Sequence, residues 1–102
     1  MALYLGEAVR IRATATDPDT GLALDPAPTS ASVDFWAPGV DRKTEDPTIP
    51  GVAMSYRSEK SDFVLYQSTE GDPWVVGKWT YRVTVVGESY SNFEYDNFKL
   101  NL

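Results

Sequence analysis

Carboxylates dominate the chemistry open to this 102-residue chain, which has fifteen aspartates and glutamates, nine lysines and arginines, and no histidine or cysteine. Without thiolate or imidazole, the common nucleophilic triads and the Cys/His metal sites cannot be built. Oxygen ligands for a hard cation remain, and Asp17, Asp19 and Asp25 are the densest set. A helix-loop-helix calcium loop starting at Asp17 would need a third ligand where Gly21 stands and a closing glutamate where Pro28 stands. Asp17-Pro18-Asp19-Thr20-Gly21 is equally what a tight reversal needs: side-chain oxygens to cap the backbone and a glycine free to take positive φ. It is read as a turn, and no metal or cofactor is expected. Carboxylate pairs for acid–base catalysis require one desolvated member, whereas the acids here crowd into turns and loops. No catalytic residue is expected, and the chain is read as a non-enzyme.

The other candidates are aromatic. Trp36 falls on the same strand face as Ser32 and Asp34, and Trp74 ends the turn Glu70-Gly71-Asp72-Pro73-Trp74. Three outcomes are open for Trp36: packing beneath the following loop, entering a protein partner as a hot spot, or stacking on a sugar ring. The alternative function is accordingly a carbohydrate or host-surface recognition module using Trp36, Trp74 and exposed tyrosines, with a glycan as its partner. Trp79 and Tyr81 share a phase with Val83 and Val85 and are expected in the core.

The net charge of −6 repels phosphate backbones, so nucleic acid is not an expected partner. Arg10, Arg12 and Arg82 could share a sheet face, as an ordinary solvated one. The opening MALYLGEAVR has no basic region, and its apolar start is too short for a signal peptide or a membrane span. The expectation is synthesis and folding in the cytoplasm, with no membrane partner.

The elements that must position these residues are strands. Val9, Ile11 and Ala13 alternate with Arg10, Arg12 and Thr14, and Trp79, Tyr81, Val83 and Val85 alternate with Lys78, Thr80, Arg82 and Thr84. Ser30 to Ala37 repeats the pattern, and further strands are expected over Gly51 to Arg57 and Asp62 to Ser68, joined near Ser58 to Ser61. Pro38 to Pro50 reads as a long exposed loop. In the last segment Phe93 and Tyr95 hold one phase and Phe98, Leu100 and Leu102 the other, so a bulge or short hairpin is expected at Asp96-Asn97. Hydrophobic residues at 42% supply a core, and the chain length fits one domain over residues 1–102. The fold class is all-β: a single antiparallel, immunoglobulin-like β-sandwich of about six to eight strands. Residues 1–5 are either an edge strand of that domain or a docking arm.

In order along the chain, GEAVRIRATATDPDTG, a Pro/Thr-rich link, SVDFWAPG and GKWTYRVTVVG resemble the small immunoglobulin-like structural proteins of tailed bacteriophages. Gly6, Val9, Arg10, Asp17, Pro18, Asp19 and Gly21 carry the opening pattern, and Trp79, Tyr81, Arg82 and Val83 the late one. The closing GESYSNFEYDNFKLNL departs from the simpler acidic final strand of that group. The resemblance implies a virion component, a capsid decoration or head-to-tail neck protein. It would be present in multiple copies or as a homo-oligomer, binding other capsid, neck or tail proteins. The partner-binding candidates are Leu3, Tyr4, Leu5, Trp36, Trp74, Phe98, Leu100 and Leu102, through sheet-edge pairing or apolar docking.

Overall fold

The computed structural model describes residues 2–14, 28–88 and 91–102. The Asp17–Gly21 turn and Asp25 lie outside the described residues. Eight strands, and no helix among the described residues, build two sheets: β1 (Leu3–Tyr4), β2 (Ala8–Thr14), β3 (Ser30–Trp36), β4 (Ile49–Ala53), β5 (Ser55–Arg57), β6 (Asp62–Ser68), β7 (Gly77–Val86) and β8 (Ser91–Asn101). Sheet A has the order β1-β8-β7-β3-β4 and curls into a half-barrel; sheet B has the order β2-β6-β5. The fold is the expected β-sandwich, antiparallel throughout except where β1 runs parallel to β8.

Alternation decides which side chains meet between the sheets. Val9 and Ile11 of β2, Ala31, Val33 and Phe35 of β3, Phe63 of β6, Trp79 of β7 and Leu100 of β8 are all buried. Trp74 enters this core from its turn, packing tilted against Trp79 at 4.4 Å between centroids and meeting the Phe35 ring edge-on at 5.3 Å.

Three expectations are corrected. The loop expected over Pro38 to Pro50 ends earlier, because β4 begins at Ile49 and pairs it with Phe35. Gly51 to Arg57 is not one strand, because the chain leaves sheet A after Ala53 and enters sheet B at Ser55. Met54 is the corner, buried, with its N–H donated to Ala31 O. No bulge or hairpin interrupts β8: all ten of its pairs with β7, from Gly77↔Leu100 to Val86↔Ser91, keep one register. The two apolar phases of β8 serve its two faces. Phe98 and Leu100 turn into the core, while Phe93 and Tyr95 turn outward, where Tyr95 lies 6.2 Å from the Trp36 ring. A phase change that looks like a slip in the sequence is a strand with apolar contacts on both sides.

Candidate functional site

The outer face of sheet A is closed over β3 by the loop that follows it. Trp36 is 2% exposed and donates its Nε1–H to Glu45 O at 2.9 Å, so the loop's backbone lies against the ring. Beside it Asp34, also buried, accepts from Arg82 Nη2 at 2.8 Å and Nε at 3.1 Å, and from the Gly51 N–H at 2.8 Å. That amide is turned toward Asp34 where the β3–β4 register shifts between Val33 and Phe35, a position Gly51 occupies at φ 61°. The guanidinium of Arg82 also lies 5.5 Å from the Trp36 centroid, and that of Arg42 lies 4.0 Å from Tyr95. Of the openings left for Trp36, packing beneath the loop is what the structure shows. Trp74 is 7% exposed, so neither tryptophan offers a ring face to a sugar.

Between the two sheets runs a groove of 720 Å³, lined by Ala13 and Thr14 of β2, Tyr81 and Val83 of β7, and Glu94 and Asp96 of β8, among others. The Tyr81 hydroxyl is pushed above its ordinary value, first by burial and then by Asp96 and Glu94, so it keeps its proton at neutral pH. Glu94 and Asp96 themselves are solvent-exposed. Among the described residues that line it, the groove has no desolvated acid of the kind proton-transfer chemistry needs. Among the described residues no cluster of three or more Asp, Glu, His or Cys could hold a metal ion.

Sheet B has a different outer face. Arg10 and Arg12 point out from β2, and neither shares a sheet with Arg82, which belongs to sheet A. Their neighbour is Arg57 of β5, paired directly with Asp62. Asp62 has no exposed side-chain surface; Arg57 donates Nε to Oδ1 and Nη2 to Oδ2, each at 2.8 Å, and Arg12 Nε donates to Oδ2. The Arg57 hydrogen bonds, reinforced by Arg12, hold this carboxyl far below the usual carboxylate range despite the opposing effect of burial.

Apolar surface gathers at one end of sheet A. Of the expected docking residues, Leu100 is 1% exposed, and Phe98 and Leu3 pack against the core. These three turn toward the core, Leu100 buried and Leu3 and Phe98 half-buried, where β1, β7 and β8 share a register: Leu3↔Leu100 on one side and Gly77↔Leu100 on the other. Tyr4 at 49%, Leu5 at 38% and Leu102 at 98% stand on the surface. Val75 and Val76, which the sequence reading did not single out, join them at 46% and 43%. An apolar pair just before Gly77, outside the alternation of β7, was the available signal. Leu5 N–H donates to Asn101 O at 2.8 Å, and Asn101 Nδ2 donates to Leu3 O at 3.1 Å, which ties the N-terminal segment to the end of β8. Thr69, fully buried, clamps the exit of that segment by donating its hydroxyl to Glu7 O at 2.6 Å and accepting the Gly6 N–H at 2.9 Å. Leu3–Tyr4 thus forms a short edge strand, and the same segment displays Tyr4 and Leu5. Beyond Leu100 and Asn101, β8 has no described partner strand on its β1 side. No protein-family model, curated protein or solved structure matches the chain.

Proposed function

We propose that this protein is a non-enzymatic structural component of a tailed-phage virion, a capsid decoration or head-to-tail neck protein that docks on neighbouring virion proteins. One observation carries the docking reading: Tyr4, Leu5, Val75, Val76 and Leu102 are exposed together at the end of sheet A, next to a β8 edge that β1 covers for only two residues. Exposed apolar side chains beside unpaired backbone donors and acceptors are what sheet-edge pairing and apolar docking use. The order of motifs along the chain supports the virion assignment. The open groove, with exposed carboxylates and no nucleophile–base pair among its lining residues, supports a role without chemistry. Burial of Trp36 and Trp74 takes the two tryptophans from the surface that a glycan-binding alternative would use, leaving it only exposed tyrosines such as Tyr4, Tyr56 and Tyr66.

The test is quantitative mass spectrometry of purified particles of a phage carrying this gene. The protein is expected in stoichiometric amounts, hundreds of copies for decoration or about a dozen or fewer for a neck site, following the closed symmetries of such assemblies. A Leu5→Asp/Val76→Asp variant should fold, because both side chains lie at the surface outside the core cluster, yet be missing from particles. Absence of the wild-type protein from particles overturns the assignment.

A further inference from the structure

Outward positions on sheet B form rows across its strands: Ala8 with Ser68, Arg10 with Tyr66, Arg12 with Val64 and Ser55, and Thr14 with Asp62 and Arg57. Asp62 is the only acidic side chain in these rows, against three arginines. Among the described residues of these rows two positive charges are left over, on a chain whose net charge is −6. The arginines are not equally engaged. Arg57 closes its fork on Asp62, whereas Arg12 gives Asp62 its Nε and remains 58% exposed. Arg10 takes part in no ion pair among the described residues and lies 5.4 Å from the Tyr66 centroid, over a ring that is 59% exposed. A depression of 270 Å³ runs among Arg10, Arg12, Arg57, Val64 and Tyr66.

We propose that the outer face of sheet B binds an acidic polypeptide segment in extended conformation, with carboxylates on Arg10 and Arg12 and the segment's backbone against Tyr66. Charge complementarity selects an anionic partner, and geometry selects an extended one. Arg10 and Arg12 are two residues apart on one strand, so their side chains leave the sheet about 6.8 Å apart, the spacing of carboxylates at alternate positions of an extended chain. Exposed arginine and tyrosine are the residue types that carry binding energy at protein interfaces. A nucleic-acid strand would also meet positive charge here, but its many phosphates would be repelled by the acidic remainder of the molecule. Sheet B is separate from the apolar end of sheet A, so this surface stands whether or not the virion assignment does.

Fluorescence polarisation with a labelled Glu-Ser-Glu-Ser-Glu-Ser peptide tests the proposal, with Glu-Glu-Glu-Ser-Ser-Ser as the isomer of equal charge. The alternating peptide should bind the wild-type chain at least threefold more tightly than the blocked one. Arg10→Glu should weaken that binding more than tenfold, and Arg10→Gln more than threefold. Lys78→Glu, an equal charge change on an exposed residue of sheet A, should change it less than twofold. Among the described residues the Arg10 side chain makes no ion pair and lies over the exposed Tyr66, so unchanged thermal unfolding should accompany the loss. Equal binding of the two peptides, equal losses from Arg10→Glu and Lys78→Glu, or tighter binding of oligothymidylate of matched charge would each overturn it.

Discussion

Arg57 and Asp62 stand directly opposite each other across the β5–β6 hairpin, and the guanidinium fork of one closes on both oxygens of the other at 2.8 Å. The pair fixes the register of the shortest strand in sheet B, which has only three residues of ladder to hold it. It also sets how the fold responds to acid.

Because the Asp62 carboxyl titrates lower in the folded chain than in the unfolded one, its stabilising contribution is complete above the unfolded value of about 4. That contribution is lost progressively as pH falls below this value toward the depressed folded one. Asp62→Asn should therefore lower the melting temperature at pH 7, and the gap to wild type should narrow steadily as the pH drops below about 4. Thermal unfolding followed by circular dichroism across pH 7 to about 2 measures this; a gap that stays constant over that range contradicts it.

Gly77 sits at φ 130°, and a Cβ there would come within 2.7 Å of Pro38 Cγ. Both the backbone angle and the contact demand glycine where β7 starts beneath the Trp36 loop. Gly77→Ala should cost about 1–3 kcal/mol in urea unfolding. Adding Pro38→Gly should recover only part of it, since the contact is relieved and the backbone strain is not.

Thr69 is the joint between the N-terminal segment and the core. Replacing it with valine keeps the volume but leaves the Gly6 N–H without its partner and takes from Glu7 O one of its two donors, the Thr69 backbone N–H remaining, at a cost of about 1–3 kcal/mol. Hydrogen exchange should show the Gly6 amide losing protection first, ahead of amides in β3 and β7. If docking depends on how Tyr4 and Leu5 are presented, this variant should also enter particles less efficiently than its residual stability alone dictates.

The two buried tryptophans should separate in their response. Trp74→Ala removes a ring packed on Phe35 and Trp79 and should cost about 3–5 kcal/mol, as for other large aromatic truncations in cores. Trp36→Phe keeps most of the packing and loses the hydrogen bond to Glu45 O, at about 1 kcal/mol. Titration with glycans should leave the intrinsic tryptophan fluorescence unchanged; quenching would reopen the carbohydrate reading.

Period-two alternation by itself determined the all-β class, the main strands of both sheets, and the core positions Val9, Ile11, Val33, Phe35 and Trp79, because alternate side chains of a strand must fall on one face. The turns at Ser58–Ser61 and Glu70–Trp74 were also legible, since their residues encode backbone angles locally. Whatever depends on a neighbour distant in the chain was not. Periodicity gives the phase of a strand but not what covers each face, so the outward-facing Trp36 could be buried by a loop and Tyr95 could complete its surroundings. The same limit hid the sheet switch at Met54, the burial of Phe98 and Leu100 between flanking strands, and the gathering of Val75 and Val76 with Tyr4, Leu5 and Leu102. It also hid which arginines share a face: Arg57 joins Arg10 and Arg12 only because β5 and β2 both flank β6. A face is a property of paired strands, and strand pairing is decided by register across the sheet.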